Sequence, residues 1–462
     1  MDALAYVFAA IPFLVSFLMA VLLIGLFWGL VGSPVWGAGA VLAFAVIEAA
    51  FVFIPPIHLG FNIFPGDVVS IAIGIALVLR AGHYPWGSSI GRLWLVFGAF
   101  MFASFAVGAA SYGAAAGSDF RVYFFYSWVT VAYFMTFELH PPQLARMRTM
   151  VILAALCLVG LTFVRWAAFG AGVDLGPFQA FVVDGNNFRV VSAGQALIIG
   201  VGALLLIQRW LLRQAGSGSI SLAVVFLLTL VALQHRSVWV AVLIGLATMV
   251  MLQRKQLGRS SGSLLLVLGL GIALIVPVLI LGLGGGVSET VAASAREAVS
   301  SRSTFTGRAE GWKALLTDWK AGGLHSYVLG QPFGSGYARE QQGSTVAWSP
   351  HNYYIHVLLR TGVLGLLAMV TTLMVAARRL FRARDVEYPE WVPLLVGLLL
   401  LELAYFIPYS ALIEQAIWCG SALSLAARLK PSAPALAPPP ALQQGLATKP
   451  APLRSGGYWG RA

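Results

Sequence analysis

Apolar runs of about 20 residues recur along this chain from its first residues to about position 427. A helix of that length crosses the hydrocarbon core of a bilayer and satisfies its own backbone hydrogen bonds there. The chain has 462 residues, of which 59% are hydrophobic and 10% charged, whereas soluble domains carry about 25% charged residues. We therefore predict an all-α polytopic membrane protein, because no soluble domain of ordinary size fits between the runs.

The runs predict about 12 to 13 membrane-spanning helices. They lie near residues 5–30, 34–55, 65–80, 92–113, 121–138, 148–168, 190–209, 219–234, 237–252, 263–284, 353–377, 390–408 and 410–427. The first run has no basic leader and no clear cleavage site, so we expect it to be retained. The side of the N-terminus depends on the exact number of spans and stays open.

Arginine and lysine residues cluster in alternate short loops, which is typical of the cytoplasmic side. The clusters are Arg80 and Arg92, Arg146 and Arg148, Arg209 and Arg213, Arg254, Lys255 and Arg259, and Arg378, Arg379, Arg382 and Arg384. The intervening loops are then external. The net charge of +12 fits cytoplasmic loops beside anionic lipid headgroups, which we prefer to nucleic-acid binding.

This pattern divides the chain into four regions. We expect transmembrane helices in 1–284, an external loop in 285–350, C-terminal transmembrane helices in 351–428 and a disordered cytoplasmic tail in 429–462, which is rich in proline and alanine. Cys157 and Cys419 both lie inside apolar runs. They predict neither a disulfide framework nor a metal site.

Three of the arginines on the predicted external side draw attention, because the charge bias of cytoplasmic loops does not explain them. Arg189 opens one apolar helix, Arg236 lies between two short apolar segments, and Arg308 lies in the long external loop. A single arginine of this kind is most simply an anchor at a helix end. Three on one side favour a shared anion site, because charge at membrane depth usually faces a partner or a polar cavity.

The external loop also contains an amphipathic helix. Trp312, Leu315, Leu316 and Trp319 are spaced i, i+3, i+4 and i+7, which places them on one helical face. With two tryptophans, this stripe predicts a helix that lies flat on the membrane interface. Arg308 precedes the stripe by one turn, near the positive end of the helix, and the nearby Arg302 is a weaker candidate for the same anion site.

A histidine marks the point where the chain returns to the membrane, in the sequence "SPHNYYIHVLLRTGVLG". Pro350 suits the first turn of a helix, which places His351 and Asn352 at its mouth. A neutral imidazole there can accept a proton from a hydroxyl group. Alone, His351 is most simply structural, but beside an arginine cluster it becomes a candidate general base. Arg360 follows about two turns later, inside the apolar stretch.

Together these residues predict glycosyl transfer from a polyprenyl-diphosphate donor at the external membrane surface. Arginines can hold the diphosphate by charge-assisted hydrogen bonds and stabilise its charge as it leaves, without a metal ion. The histidine would then activate the acceptor hydroxyl. We expect Arg189, Arg236 and His351 to line one external cavity.

The sequence resembles the O-antigen ligase and O-antigen polymerase (Wzy-type) superfamily of bacterial polysaccharide assembly. Four segments carry the resemblance in order: "FRVVSAGQA", "QHRSVWVA", "TGRAEGW" with "VLGQPFGSGY", and "SPHNYYIHVLLRTGVLG". They cover roughly residues 185–370, and the flanks agree by hydropathy alone.

The resemblance implies a GT-C-type helical fold and an inverting, metal-independent transfer that needs no cofactor. The donor would be an undecaprenyl-diphosphate-linked glycan on the periplasmic face of the bacterial inner membrane. By motif, Arg189 and Arg236 would bind the diphosphate with Arg308 as a weaker third, and His351 would be the catalytic base. Many relatives carry a carboxylate where this chain has Arg360, so another group would position the acceptor here, or the acceptor differs.

Two alternatives stay open. Within the superfamily, a repeat-unit polymerase is slightly favoured over a ligase that transfers the glycan to lipid A core. In another class, a polysaccharide-lipid transporter or flippase would use Glu48, Glu402 and Glu414, which lie in or beside apolar spans, as proton-coupling groups. The absence of an apparent inverted repeat and the placement of the polar residues at the outer interface argue against transport.

Overall fold

The computed structural model describes residues 25–51, 57–58, 62–173, 189–254, 304–341, 343–383 and 388–429. The predicted span near 263–284, most of the span near 5–30, Arg302 and all but the first residue of the predicted tail lie outside these ranges. The secondary structure below is that of the described residues.

The N-terminal half is helical within the described ranges, with one short hairpin, and residues 25–32 form a helical segment before the first labelled helix. The labelled elements are α1 (Pro34–Ala50), β1 (Ile57–His58), β2 (Asn62–Ile63), α2 (Pro65–Leu79), α3 (Ser89–Tyr112), α4 (Ala114–Tyr123), α5 (Thr130–Met135), α6 (Pro141–Gly170), α7 (Ala193–Leu211), α8 (Ser217–Ala232) and α9 (Arg236–Gln253). A π-helical turn, Phe124–Val129, joins α4 to α5.

The C-terminal half continues with α10 (Thr304–Ala321), α11 (Gly323–Leu329), β3 (Arg339–Gln341), β4 (Ser344–Val346), α12 (Tyr353–Ala383), α13 (Trp391–Tyr405) and α14 (Ala416–Arg428). Strands β3 and β4 pair antiparallel, with Arg339 opposite Val346. A 3₁₀ turn, Ile413–Gln415, precedes α14.

Five of these helices are long and apolar enough to cross a membrane: α3, α6, α7, α9 and α12. Four shorter apolar helices, α1, α2, α8 and α13, accompany them. This confirms an all-α polytopic membrane protein, while the total of 12 to 13 spans stays a prediction. Within the predicted span at 121–138, α4, the π-helical turn and α5 follow one another with helical backbone at both junctions, so helical structure continues to Met135 with a π-bulge inside it.

Helix α7 is the most enclosed of the five long helices, since 89% of its apolar window is buried inside the protein. Small residues allow this close packing: an added methyl group at Gly202 would overlap Ala155 of α6 and touch Phe226 of α8. Ser192 caps the N-terminus of α7, accepting a hydrogen bond from the Gln195 backbone. The segment that begins with Arg189 is therefore held at one end of the central helix.

Helix α10 forms as the amphipathic pattern predicts, and two residues of its apolar stripe pack on protein. Leu315 and Trp319 are buried against Tyr337 and Leu359, and Leu316 packs beside them. The Trp319 indole donates a 2.8 Å hydrogen bond to the Ser326 carbonyl. The start of α12 and the segment before β3 therefore supply the apolar surface that Leu315 and Trp319 bury, and the interfacial orientation of α10 stays a prediction.

Helix α12 is interrupted at Gly362, whose φ of 65° is a left-handed conformation that suits glycine. The interruption lets the Leu359 carbonyl accept a 2.6 Å hydrogen bond from the Gln331 amide, outside the helix. Gly330 lies so close to this kink that a side chain there would overlap the backbone of Arg360 and Gly362. The glycine-rich segment 330–336 is thereby packed into the kink of α12.

Candidate active site

Two of the predicted arginines lie next to each other in the fold. The His235 imidazole, which precedes Arg236, donates a 3.0 Å hydrogen bond from Nε2 to the Val191 carbonyl, two residues after Arg189. Burial and, to a smaller extent, the charge of Arg189 lower the pKa of His235 to about 4. His235 is therefore neutral at physiological pH and connects the segment of Arg189 to the segment of Arg236. Both arginines are half-buried.

A second group forms around His351, which lies just before the first turn of α12. Its side chain reaches solvent, yet the surrounding protein lowers the pKa of the imidazole, and the charges of Arg308 and Arg339 lower it further. A base in this setting stays neutral to lower pH than an ordinary histidine. Arg308 and Arg339 are thus electrostatic neighbours of His351, while a shared site stays a prediction.

Arg308 is held by the connection between α13 and α14. Its Nη1 donates a 3.1 Å hydrogen bond to the Pro408 carbonyl, and its guanidinium lies over the Tyr409 ring, 5.5 Å from the centroid. The remaining N–H groups of a planar guanidinium then have a fixed direction. The hydrogen bond and the ring contact therefore restrain the orientation of the Arg308 guanidinium.

Arg339 is a site residue that the sequence analysis did not single out. It is buried on β3, where Nη1 donates hydrogen bonds of 3.0 Å to the Tyr337 carbonyl and 2.8 Å to the Trp348 carbonyl. Its Nε has no hydrogen-bond partner among the described residues. Its position in "GYARE", within a segment expected to be external, was the one available signal.

Asn352, a candidate supporting residue of the site, caps the helix that follows it. Its side-chain oxygen accepts a 3.0 Å hydrogen bond from the Ile355 amide, which is the geometry of an N-cap. The residue is buried, so this cap is shielded from water. Asn352 therefore sets the point at which α12 begins and, with it, the position of the neighbouring His351.

The connection between α13 and α14, residues 406–415, joins the two groups of arginines. Pro408 accepts the hydrogen bond from Arg308, and the Ser410 hydroxyl donates a 3.4 Å hydrogen bond to the Pro350 carbonyl. At its other end, Leu412 and Glu414 pack against Gly194 so closely that a methyl group there would overlap both. The segments of Arg189, Arg308 and His351 therefore all lie at the same end of the helix bundle.

Glu414 places a carboxyl group at this connection. Glu48 is an electrostatic neighbour of this carboxyl group. Glu402 of α13 is also an electrostatic neighbour of Glu414. Glu414 is thus close enough to interact with each of the two other glutamates that the sequence analysis considered for proton coupling.

Arg360 occupies a different place from the other candidate arginines. Its side chain is 1% exposed and forms a 2.8 Å ion pair with Asp119 of α4. It also donates hydrogen bonds to the Tyr337 hydroxyl at 3.0 Å and to the carbonyls of Pro332 at 3.2 Å and Gly336 at 3.1 Å. Arg360 therefore holds the glycine-rich segment, and a supporting role in catalysis would act through that segment.

Tyr337 and His356 extend this buried network. The Tyr337 hydroxyl donates to Asp119 at 2.8 Å, which leaves the hydroxyl oxygen to accept from His356 Nδ1 at 2.9 Å. The His356 ring stacks on Tyr123 of α4. This assigns the Nδ1–H tautomer to His356 and leaves its Nε2 without a partner among the described residues.

An apolar helical bundle with arginines and a histidine at one end defines a membrane protein suited to an anionic substrate. Residues 221–370 match the family model described as O-antigen ligase. The chain is thus similar to O-antigen ligases over that stretch, which supports the resemblance to the ligase and polymerase superfamily. The match includes Arg236, Arg308 and His351, whereas Arg189 precedes it. No curated protein matches the chain.

Proposed function

We propose that this protein is a metal-independent, inverting glycosyltransferase of GT-C type in the bacterial inner membrane. It would move an undecaprenyl-diphosphate-linked glycan onto an acceptor hydroxyl at the periplasmic face, in O-antigen or exopolysaccharide assembly. The observation that carries the proposal is the position of His351: a solvent-accessible imidazole at a helix mouth, with two arginines near enough to lower its pKa.

The division of roles follows from charge and burial. Arg189, Arg236 and Arg308 are each half-buried and would bind the diphosphate, with Arg308 the weaker of the three. Their positive charge would stabilise the diphosphate as the glycosidic bond breaks. Arg339 would act mainly by keeping His351 neutral, because its guanidinium is buried and hydrogen-bonded to backbone.

The chemistry requires the acceptor hydroxyl to lose its proton as it attacks the anomeric carbon. His351 would accept that proton, and the diphosphate would leave from the opposite face of the sugar with the bonding electrons. A lowered pKa keeps the imidazole unprotonated before the reaction, which is the state that a general base needs. A polyprenyl chain would extend among the membrane helices.

A direct test uses the full-length protein purified in detergent with lipid-linked glycan and acceptor. We expect a new glycosidic product, with wild-type protein active after treatment with a metal chelator. A transporter would leave the substrate chemically unchanged, so unaltered substrate would favour the alternative role of Glu48, Glu402 and Glu414 in proton coupling. Product formation would exclude transport as the only activity.

Polymerase and ligase activities are separated by the glycans of a deletion strain. We slightly favour a polymerase, for which long chains would be lost and single repeats retained. A ligase to lipid A core would instead leave full-length glycan stranded on the carrier lipid. The same strain supplies the donor and acceptor lipids for assays of the purified protein.

A further inference from the structure

A groove of about 750 Å³ lies between α2 and α4, on the side of α4 that faces away from the glycine-rich segment. Ala114, Gly117, Ser118 and Arg121 line it at the helical spacing i, i+3, i+4 and i+7, whereas Asp119 points to Tyr337 and Gly334. Its volume is within the range of about 300–1,000 Å³ that is usual for small-molecule sites. The proposed mechanism does not use it.

The groove contains an ion pair with unused hydrogen-bonding capacity. Arg121 Nη1 lies 3.0 Å from the Asp67 carboxylate and donates a 2.6 Å hydrogen bond to the Asn62 carbonyl. The Arg121 Nε–H is buried and has no partner among the described residues. Asp67 Oδ1 accepts one hydrogen bond, from Tyr126, which leaves room for a second. Donors and acceptors are therefore both available to a ligand.

The charge balance restricts the ligand class. Asp67 neutralises Arg121, so a phosphate group here would lie beside a carboxylate and gain little attraction. An alkyl chain alone would leave the polar groups of the groove without partners, at a cost in free energy. A neutral saccharide meets both conditions, because its hydroxyl groups donate and accept and its C–H faces can pack on Phe125.

We propose that this groove binds an uncharged saccharide unit of the acceptor, distal to the reacting hydroxyl. Helix α4 separates the groove from the mouth of α12: Tyr123, on its opposite face, lies beside the hydroxyl groups of Ser349 and Ser410. The diameter of a helix with side chains is about 10–12 Å, which is a short span for an extended oligosaccharide. The inference rests on the proposed transferase function.

Gly117 allows the groove to be filled without disturbing the fold. A side chain added there meets no atom within 4 Å, and the same holds for the exposed Gly160 of α6. We expect Gly117→Leu to raise the KM for the acceptor at least about tenfold while kcat and the KM for the donor stay unchanged. Gly160→Leu, the matched control, should change none of them. An unaltered acceptor KM in Gly117→Leu would overturn the proposal.

Binding is measured separately from activity, in nanodiscs, with the lipid-free oligosaccharide released from the acceptor by mild acid. In a background with Cys157 replaced by serine, the oligosaccharide should slow maleimide labelling of Ser118→Cys and leave Ser344→Cys unaffected. Protection by membrane lipid but not by oligosaccharide would overturn the saccharide assignment. Protection without any glycosyl product from the wild-type protein would contradict the proposed function and leave saccharide binding supported.

The ion pair provides a test of ligand charge. Asp67→Asn keeps an acceptor oxygen but removes the negative charge that neutralises Arg121. We expect this variant to bind the neutral oligosaccharide more weakly. If the variant instead bound the oligosaccharide equally well and wild-type protein bound inorganic phosphate at the same site, the groove would be an anion site and the proposal would be wrong.

Discussion

Arg360 and Asp119 form a buried ion pair, 2.8 Å long, between α12 and α4. The pair is joined by Tyr337, which hydrogen-bonds to both partners, and by the Gly334 amide, which donates to Asp119 at 3.2 Å. A buried guanidinium is costly without a compensating carboxylate. The ion pair therefore fixes the glycine-rich segment between two helices and explains how an arginine is accommodated inside an apolar stretch.

We expect Asp119→Ala to lower the free energy of unfolding by about 3–5 kcal/mol, because it leaves the Arg360 charge buried and unpaired. Thermal unfolding of the purified protein measures the effect. Asp318→Ala, at an exposed position of α10, should be nearly neutral. The double variant Asp119→Leu with Arg360→Met should lose less stability than the sum of the two single changes, and strict additivity would contradict a direct interaction.

His351→Ala should reduce turnover by about 10²–10⁴-fold while leaving donor binding largely intact, since the proposed base does not hold the diphosphate. Arg189→Ala should weaken donor binding as well as turnover. Binding and turnover of lipid-linked glycan are measured side by side, with His325→Ala, an exposed histidine of α11, as the control. Loss of binding equal to that of Arg189→Ala would instead assign His351 to the structure or to phosphate contact.

Arg236→Lys should impair transfer strongly although it keeps the charge, because lysine lacks the planar fork that contacts two phosphate oxygens. Arg378→Lys, at an exposed position of α12, is the matched control. Product formation is compared at equal membrane expression. Near-normal activity of Arg236→Lys would show that Arg236 is only an anchor at the start of α9.

The acidic limb of the pH dependence of kcat/KM should lie below pH 6.5, the ordinary pKa of histidine, because the surrounding protein and two arginines lower the pKa of His351. The base works when unprotonated, so activity is lost as pH falls through this lowered pKa. Arg308→Gln removes one of the two charges and should move the limb to higher pH, whereas Lys313→Gln, exposed on the same helix, should not. If Arg308→Gln left the acidic limb unchanged, His351 would not be the group whose titration causes it.

Much of the architecture follows from the sequence because it depends on local properties. The lengths of apolar runs predicted helices such as α3, α9 and α12 to within a few residues, since hydrophobic length alone determines which segments can span a bilayer. The i, i+3, i+4 spacing likewise predicted α10. The amphipathic pattern did not say what its apolar face contacts, because membrane and protein interior are equally apolar partners.

The candidate site was predicted in part. Arg189, Arg236, Arg308 and His351 drew attention because charged residues near apolar helices need a partner, and the convergence of all four in one cavity remains a prediction. In the sequence, little distinguished Arg339 as a site residue. Nothing in the sequence indicated that Asp119 pairs with Arg360. These two residues acquire their roles from contacts with segments far away in the sequence.

The sequence by itself determined that this chain is a helical membrane protein with an unusual set of polar residues, because helix length and residue chemistry are local. Only the tertiary structure decided that the α13–α14 connection brings the Arg189, Arg308 and His351 segments to one end, that Arg360 pairs with Asp119, and that α10 packs on the protein. Each of these depends on which surfaces of distant helices meet, and packing complementarity of that kind is a property of the whole fold.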